Sequence, residues 1–168
     1  NLPQGLTNRS ALFEPEIDYW QVPLIRDETE FERPTDQTTL TRRYTEEAVA
    51  FIEEHRDGPF FLYLPHSMPH VPLFASDEFR DQSTAGIYGD VVEEIDWSVG
   101  QVIDALERAG LSERTLVVFT SDNGPWPSFQ THGGPPGVLR NGKGTTFAGG
   151  MRVPGIFSWP GTMDAGCI

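Results

Sequence analysis

Two long stretches of the chain carry apolar residues at helical spacing, and the apolar runs between and after them are short. From Thr38 to His55, Leu40, Tyr44, Ala48, Phe51 and Ile52 recur three or four residues apart, which places them on one face of a helix. Asp36-Gln-Thr-Thr39 ahead of this stretch supplies N-cap chemistry, and Arg56-Asp57-Gly58-Pro59 behind it supplies stop signals. From Tyr88 to Ala109, the positions Val91/Val92, Ile95, Val99, Val102/Ile103 and Leu106 mark a longer amphipathic helix, with Gly110 where a C′ glycine belongs. Glu93-Glu94 falls off that stripe and is expected on a solvated face. Three short apolar runs read as strands: Phe60–Leu64 between Pro59 and Pro65, Leu116–Phe119, and Arg152–Trp159. Strand, helix, strand from Phe60 to Phe119 predicts a βαβ unit with parallel strands and a right-handed crossover. Residues 1–34 show no sustained periodicity and predict an irregular surface segment with a short strand near Trp20–Ile25. Ala75–Ala85 is polar, with room for one helical turn.

In that topology two polar loops leave the same edge of the sheet, where open α/β sheets place their ligands. Ser121-Asp122-Asn123-Gly124 follows the Leu116 strand and leads into a long loop rich in Gly, Pro and Asn that carries Lys143. Such a loop inside a compact domain is functional or disordered. The other loop contains His66 and His70 among Pro65, Pro69 and Pro72, which forbid helix and strand and stiffen the backbone.

Composition narrows the classes. A chain of 168 residues with 38% apolar and 22% charged content forms a globular domain with a core of its own. Twelve Lys+Arg against 25 Asp+Glu give a net charge of −13, which argues against nucleic acid and anionic membrane surfaces as partners. A small anion is still possible, because a few fixed cations or a metal reverse the field locally. No apolar run reaches the ~20 residues of a membrane span. The single cysteine, Cys167, excludes an internal disulfide. The chain begins at Asn1 rather than Met and stops after a strand-like run, so it is expected to be part of a longer protein.

Each candidate group has two readings. Asp122 and Asn123 offer a carboxylate and an amide oxygen, hard ligands for Ca2+ or Mg2+; Asp-Asn-Gly is also a common turn. His70 sits in a stiff loop that can aim an imidazole at a substrate as hydrogen-bond donor or general acid; it is equally a surface turn histidine. Lys143, between Gly142 and Gly144, has a backbone that can approach a ligand closely and an ammonium that pairs with an anion; it is equally a solvated lysine. Trp126 can stack on a sugar ring or simply pack. Gly137–Gly144 nearly spells a phosphate-binding loop, but Gly144 replaces the hydroxyl residue, and Gly149, Gly150 and Pro154 argue against the helix that must follow. His132-Gly-Gly resembles an esterase oxyanion loop, yet Asp96-Trp-Ser-Val-Gly100 is the nearest approach to a nucleophile elbow and begins with Asp.

Taken in order, TLVVFTSDNG, then a loop, then LRNGKGTTFAGGMRVP, preceded by FFLYLPHSMPHVPLF and GDVVEEIDWSVGQVIDALERAG, resemble the type I sulfatases of the arylsulfatase A kind, in the alkaline phosphatase superfamily. The similarity runs from about Tyr44 to Pro160. It implies an α/β/α sandwich with a mostly parallel central sheet, of which residues 1–168 are a partial catalytic domain. It implies Asp122 and Asn123 as the second pair of ligands to a divalent cation, usually calcium with magnesium possible. It implies Lys143 as the sulfate-binding lysine and His70 as the histidine near the leaving-group oxygen; His66 and His132 receive no role. Family members hydrolyse sulfate esters of aromatic or carbohydrate alcohols through a formylglycine made from a C-x-P-x-R or S-x-P-x-R motif by a dedicated formylglycine-generating machinery. Ser67-Met-Pro69 begins such a motif, but Val71 stands where Arg is required. The nucleophile and the first pair of metal ligands are therefore expected upstream, the isolated chain is expected to be inactive, and Ala148 replaces the usual Glu of the family's EGG motif. The resemblance further implies a sulfated small molecule or glycan as partner and a periplasmic, secreted or lysosome-like location. A phosphatase or phosphonate hydrolase of the same superfamily is an alternative, although two-metal members carry Asp-His where this chain has Asp122-Asn123. A non-catalytic sulfoglycan-binding relative is another.

Overall fold

The computed structural model describes residues 7–166, so Cys167 lies outside the described residues. The first element, α1 (Asn8–Phe13), is made by a capping box: the Thr7 hydroxyl accepts the Ser10 N–H, and the Ser10 hydroxyl accepts the Thr7 N–H. Six residues are too few for a periodic pattern, which is why the segment reads as irregular from sequence. An antiparallel hairpin comes next, β1 (Leu24–Arg26) and β2 (Thr29–Glu32), turning at Asp27 with φ 54°. The expected strand near Trp20–Ile25 corresponds to its first arm, displaced toward Arg26.

The two long helices form where periodicity placed them. The helix α2 (Leu40–Glu54) is entered through a 3-10 turn, where the Asp36 carboxylate accepts the Thr38 N–H at 3.1 Å. The helix α3 (Gly86–Arg108) closes on Gly110 at φ +68°. There the Gly110 N–H donates to Glu107 O at 2.9 Å and the Leu111 N–H to Leu106 O at 2.8 Å, the Schellman pattern with Leu106 and Leu111 in its apolar contact positions. Beyond it come β3 (Val117–Thr120), α4 (Ala148–Met151) and β4 (Gly155–Ser158). None of the described helices is long and apolar enough to cross a membrane.

The chain divides into two compact units: residues up to Tyr44 with Pro65–Asp96, and Thr45–Leu64 with the residues from Trp97 onward. In the first unit Leu40, Leu73, Phe74, Ala75, Val91 and Ile95 are buried. So are two carboxylates of α3. Asp90, 1% exposed, accepts the N–H groups of Asp81, Gln82 and Ser83 at 3.0, 3.1 and 2.7 Å, and Glu94, also 1% exposed, accepts the Ser76 N–H at 3.0 Å. The expectation that Glu93-Glu94 is solvated therefore holds for Glu93 alone. Glu94 is drawn inside because the loop after His70 brings it a backbone donor, and a buried carboxylate needs such donors.

In the second unit Ile52, Ala105, Leu106 and Leu111 form the core, with Val49, Phe60, Leu62, Val102, Ala109 and Val117 packed on it. The buried Ile52, Leu106 and Leu111 side chains each contribute about 1.5–3 kcal/mol. Phe60 and Leu62 face inward while Phe61 and Tyr63 are 87% and 75% exposed. The Phe60–Leu64 run thus has the alternation of a strand but is not hydrogen-bonded as one. The expected parallel βαβ pair is corrected accordingly: β3 pairs with β4, antiparallel, from Val117 opposite Ser158 to Thr120 opposite Gly155. Both sheets among the described residues are two-stranded and antiparallel. Apolar content makes a segment extended and half-buried, but a strand exists only where a neighbour supplies its hydrogen bonds.

Candidate functional site

The residues after β3 fold back onto the far end of their own loop. The Thr120 hydroxyl donates to Pro154 O at 3.0 Å, the Ser121 hydroxyl donates to Asn123 O at 3.0 Å, and the Gly124 N–H donates to Gly150 O at 3.0 Å. A Cβ at Gly124 would stand 1.8 Å from Gly149 O, so only glycine permits the closure. One residue further, Pro125 O accepts the Lys143 N–H at 2.7 Å. That approach needs Gly142, whose Cβ would lie 2.4 Å from both Pro125 O and the Pro127 ring. The backbone of Lys143 is thereby tied to a residue two positions past Asn123. The Lys143 side chain is half-buried, with Nζ 5.1 Å from the centre of the Trp126 ring.

Asp122 is exposed and Asn123 half-buried at the end of β3. As an adjacent carboxylate and amide oxygen they fit a hard cation, but two residues do not complete the six to eight oxygen ligands of calcium. Among the described residues no group of three or more His, Cys, Asp or Glu gathers to hold a metal. Ala148, in the place of the usual glutamate, is exposed in the first turn of α4, and that helix carries no side-chain N-cap. Thr145–Phe147 form a bend after Lys143, so the phosphate-loop lookalike lacks its helix, as expected.

His70 belongs to the first unit, on an exposed turn whose neighbours Met68, Val71, Leu73, Phe74 and Ala75 are buried. Its Nδ1 lies 2.7 Å from Val71 O. A carbonyl only accepts, so the proton sits on Nδ1, and Nε2 becomes a donor only in the imidazolium. Burial lowers the pKa of His66 in this loop and of His132 in the glycine-rich loop below the usual imidazole value. The structure thus ties Asp122, Asn123 and Lys143 into one loop system of the second unit, and it holds His70 in the first. Trp126, ambiguous in the sequence, lies against the lysine, and no local signal in the chain names that partner.

Residues 6–165 match the family model described as Sulfatase. The chain belongs to the sulfatase family. It is 45% identical to the steryl-sulfatase of Rattus norvegicus over 148 residues, covering 85% of this chain and 26% of that protein. It is also 45% identical to the N-acetylgalactosamine-6-sulfatase of Mus musculus over 154 residues, covering 90% of this chain and 30% of that protein. Among solved structures, Ps i-CgsB superposes with a TM-score of 0.73 at 33% identity, over 97% of this chain and 35% of that one. The PsFucS1 sulfatase from Pseudoalteromonas sp. gives a TM-score of 0.69 at 32% identity, over 77% and 26%. The likeness to these structures bears out the α/β, alkaline phosphatase-like fold expected from sequence. This sulfatase chain spans about a quarter to a third of the length of the relatives it matches.

Proposed function

We propose that the chain is part of the catalytic domain of a sulfuric ester hydrolase that cleaves sulfate esters of aromatic or carbohydrate alcohols. The observation that carries this reading is the backbone closure of the loop, which ties the backbone of the half-buried Lys143 to Pro125, two residues past the Asp122-Asn123 pair. In a surface so acidic, a cation held this way selects a small anion, and the sulfate of an ester is of that size and charge. Lys143 donates to the sulfuryl oxygens and offsets the charge that grows on them as the S–O bond breaks. Asp122 and Asn123 would serve as two oxygen ligands to a calcium or magnesium ion, the other ligands coming from sequence outside this chain, and such an ion would supply Lewis-acid stabilisation of a bound sulfate. His70 as imidazolium gives a proton to the leaving alkoxide through Nε2, Nδ1 being engaged by Val71 O. The formylglycine nucleophile belongs to a motif outside these residues and supplies the attacking oxygen.

Carbohydrate substrates are favoured by analogy with N-acetylgalactosamine-6-sulfatase and with Ps i-CgsB, solved in complex with k-i-k-neocarrahexaose. A periplasmic, secreted or lysosome-like location, and processing by formylglycine-generating machinery, accompany this reading. The asparagine at 123 favours a sulfatase over a two-metal phosphatase, because an amide oxygen suits calcium while histidine suits zinc.

In the full-length protein, Lys143→Ala is expected to lower kcat/KM for an aryl sulfate by about 10²–10³. Faster turnover of the matching aryl phosphate would move the reading to a phosphatase. Retained binding of a sulfated glycan without any turnover would move it to a non-catalytic binder. Sulfate release by residues 1–168 alone would contradict the division of the site between this chain and sequence outside it.

A further inference from the structure

Lys143 is the only lysine among the 168 residues. Arg33, Arg42, Arg43 and Arg108 form ion pairs, and none is seen for Lys143 among the described residues although the chain carries 25 Asp and Glu. Its two ends are held instead by consecutive residues: the backbone N–H by Pro125 O at 2.7 Å, and the ammonium by the Trp126 ring at 5.1 Å. Trp126 is itself anchored, its backbone N–H donating to Gly133 O at 2.7 Å and its ring lying 4.5 Å from that of Phe129. A lysine whose backbone and ammonium are both engaged keeps less of the rotamer freedom that an anion would otherwise have to remove on binding.

We propose that Trp126 is a positioning residue that aims the Lys143 ammonium at its anionic ligand. The choice of partner is what makes the arrangement useful. A carboxylate would hold the ammonium equally well but would neutralise it and compete with an incoming sulfate. An aromatic face attracts the charge and takes up none of its N–H groups in strong hydrogen bonds. The indole ring is occupied by the ammonium and by Phe129, so it acts on the substrate through Lys143 and does not serve as a stacking platform for a sugar ring. The contact stands on geometry alone; its catalytic consequence rests on the sulfate-binding role proposed for Lys143.

The two parts are tested separately. In the full-length protein labelled with ε-13C-lysine, the Lys143 ε-CH2 resonance, assigned by its loss in Lys143→Ala, is expected upfield of free lysine through the indole ring current. Trp126→Leu is expected to return it to the free position, and Trp126→Phe to leave it between. A free-lysine shift in the unsubstituted chain overturns the contact. In the full-length protein, Trp126→Leu is expected to lower kcat/KM for an aryl sulfate about tenfold, and Trp126→Phe only a few fold. On a Lys143→Ala background Trp126→Leu is expected to cost nothing further. An equal loss on both backgrounds overturns the proposal, because Trp126 would then act on substrate or fold directly. If Lys143→Ala leaves aryl sulfate turnover intact, the sulfate-binding role falls and takes the catalytic consequence with it, while the resonance still reports the contact.

Discussion

The loop that carries His70 and the loop that carries Lys143 are both irregular, and they are held in opposite ways. Past His70, the chain is fastened by side chains: Asp90 and Glu94 reach from α3 and accept four backbone N–H groups from Ser76, Asp81, Gln82 and Ser83. Around Lys143, the chain is fastened by its own backbone, through Gly124 to Gly150, Lys143 to Pro125 and Gly149 to Arg140. The first device needs buried charge on a helix and tolerates side chains along the loop. The second needs the absence of side chains where two backbones meet. A loop that carries a cation gains from backbone fastening, which brings no further charge to it.

That contrast predicts different failures. The largest is expected at Gly124→Ala. Its Cβ would sit 1.8 Å from Gly149 O, and because the obstacle is backbone the loop must open rather than adjust. A loss of about 3 kcal/mol or more in urea unfolding is expected, with faster chemical labelling of the Lys143 amine and unchanged amide exchange at Asp81–Ser83. Protection lost equally in both loops would show that they are not fastened independently.

Asp90→Ala is expected next, at about 2–4 kcal/mol, because three backbone donors lose a buried acceptor. Hydrogen exchange should accelerate at Asp81, Gln82 and Ser83 and stay slow at Lys143. A variant as stable as the parent would mean that these amides find another acceptor.

The smallest effect is shared by both loops. His66 and His132 have pKa values lowered by burial from 6.5, so the unfolded chain binds more protons than the folded one in the window just below that value. Their contribution is complete above pH 6.5 and is lost as the pH falls through the folded values. Stability measured by urea unfolding is therefore expected to decline on acidification from neutral pH toward 5, above the range in which carboxylates titrate. His66→Gln should flatten part of that slope and His132→Gln the rest. An unchanged slope in the double variant would assign the decline to other groups.

Much of this arrangement was legible before the structure. The helices α2 and α3 arise from spacing that any helix must show, and the stop at Gly110 from the one residue type that adopts φ > 0 without cost. The strand ahead of Asp122 and the glycine-rich loop carrying Lys143 were equally local signals. Less legible were α1, built by two hydroxyls in six residues, and the pairing of β3, whose partner β4 lies beyond a long loop and is not encoded in β3 itself.

Sequence alone determined which residues of this sulfatase chain could be helical, which loop carried its single lysine, and which family it resembled, because these depend on neighbours along the chain. Tertiary structure decided that Glu94 is buried while Glu93 is not, that Phe60–Leu64 is extended without a hydrogen-bonded partner, and that the lysine meets Trp126. Each of those depends on a group distant in sequence supplying a hydrogen bond or a ring, and a hydrophobic pattern records the need for a partner without naming it.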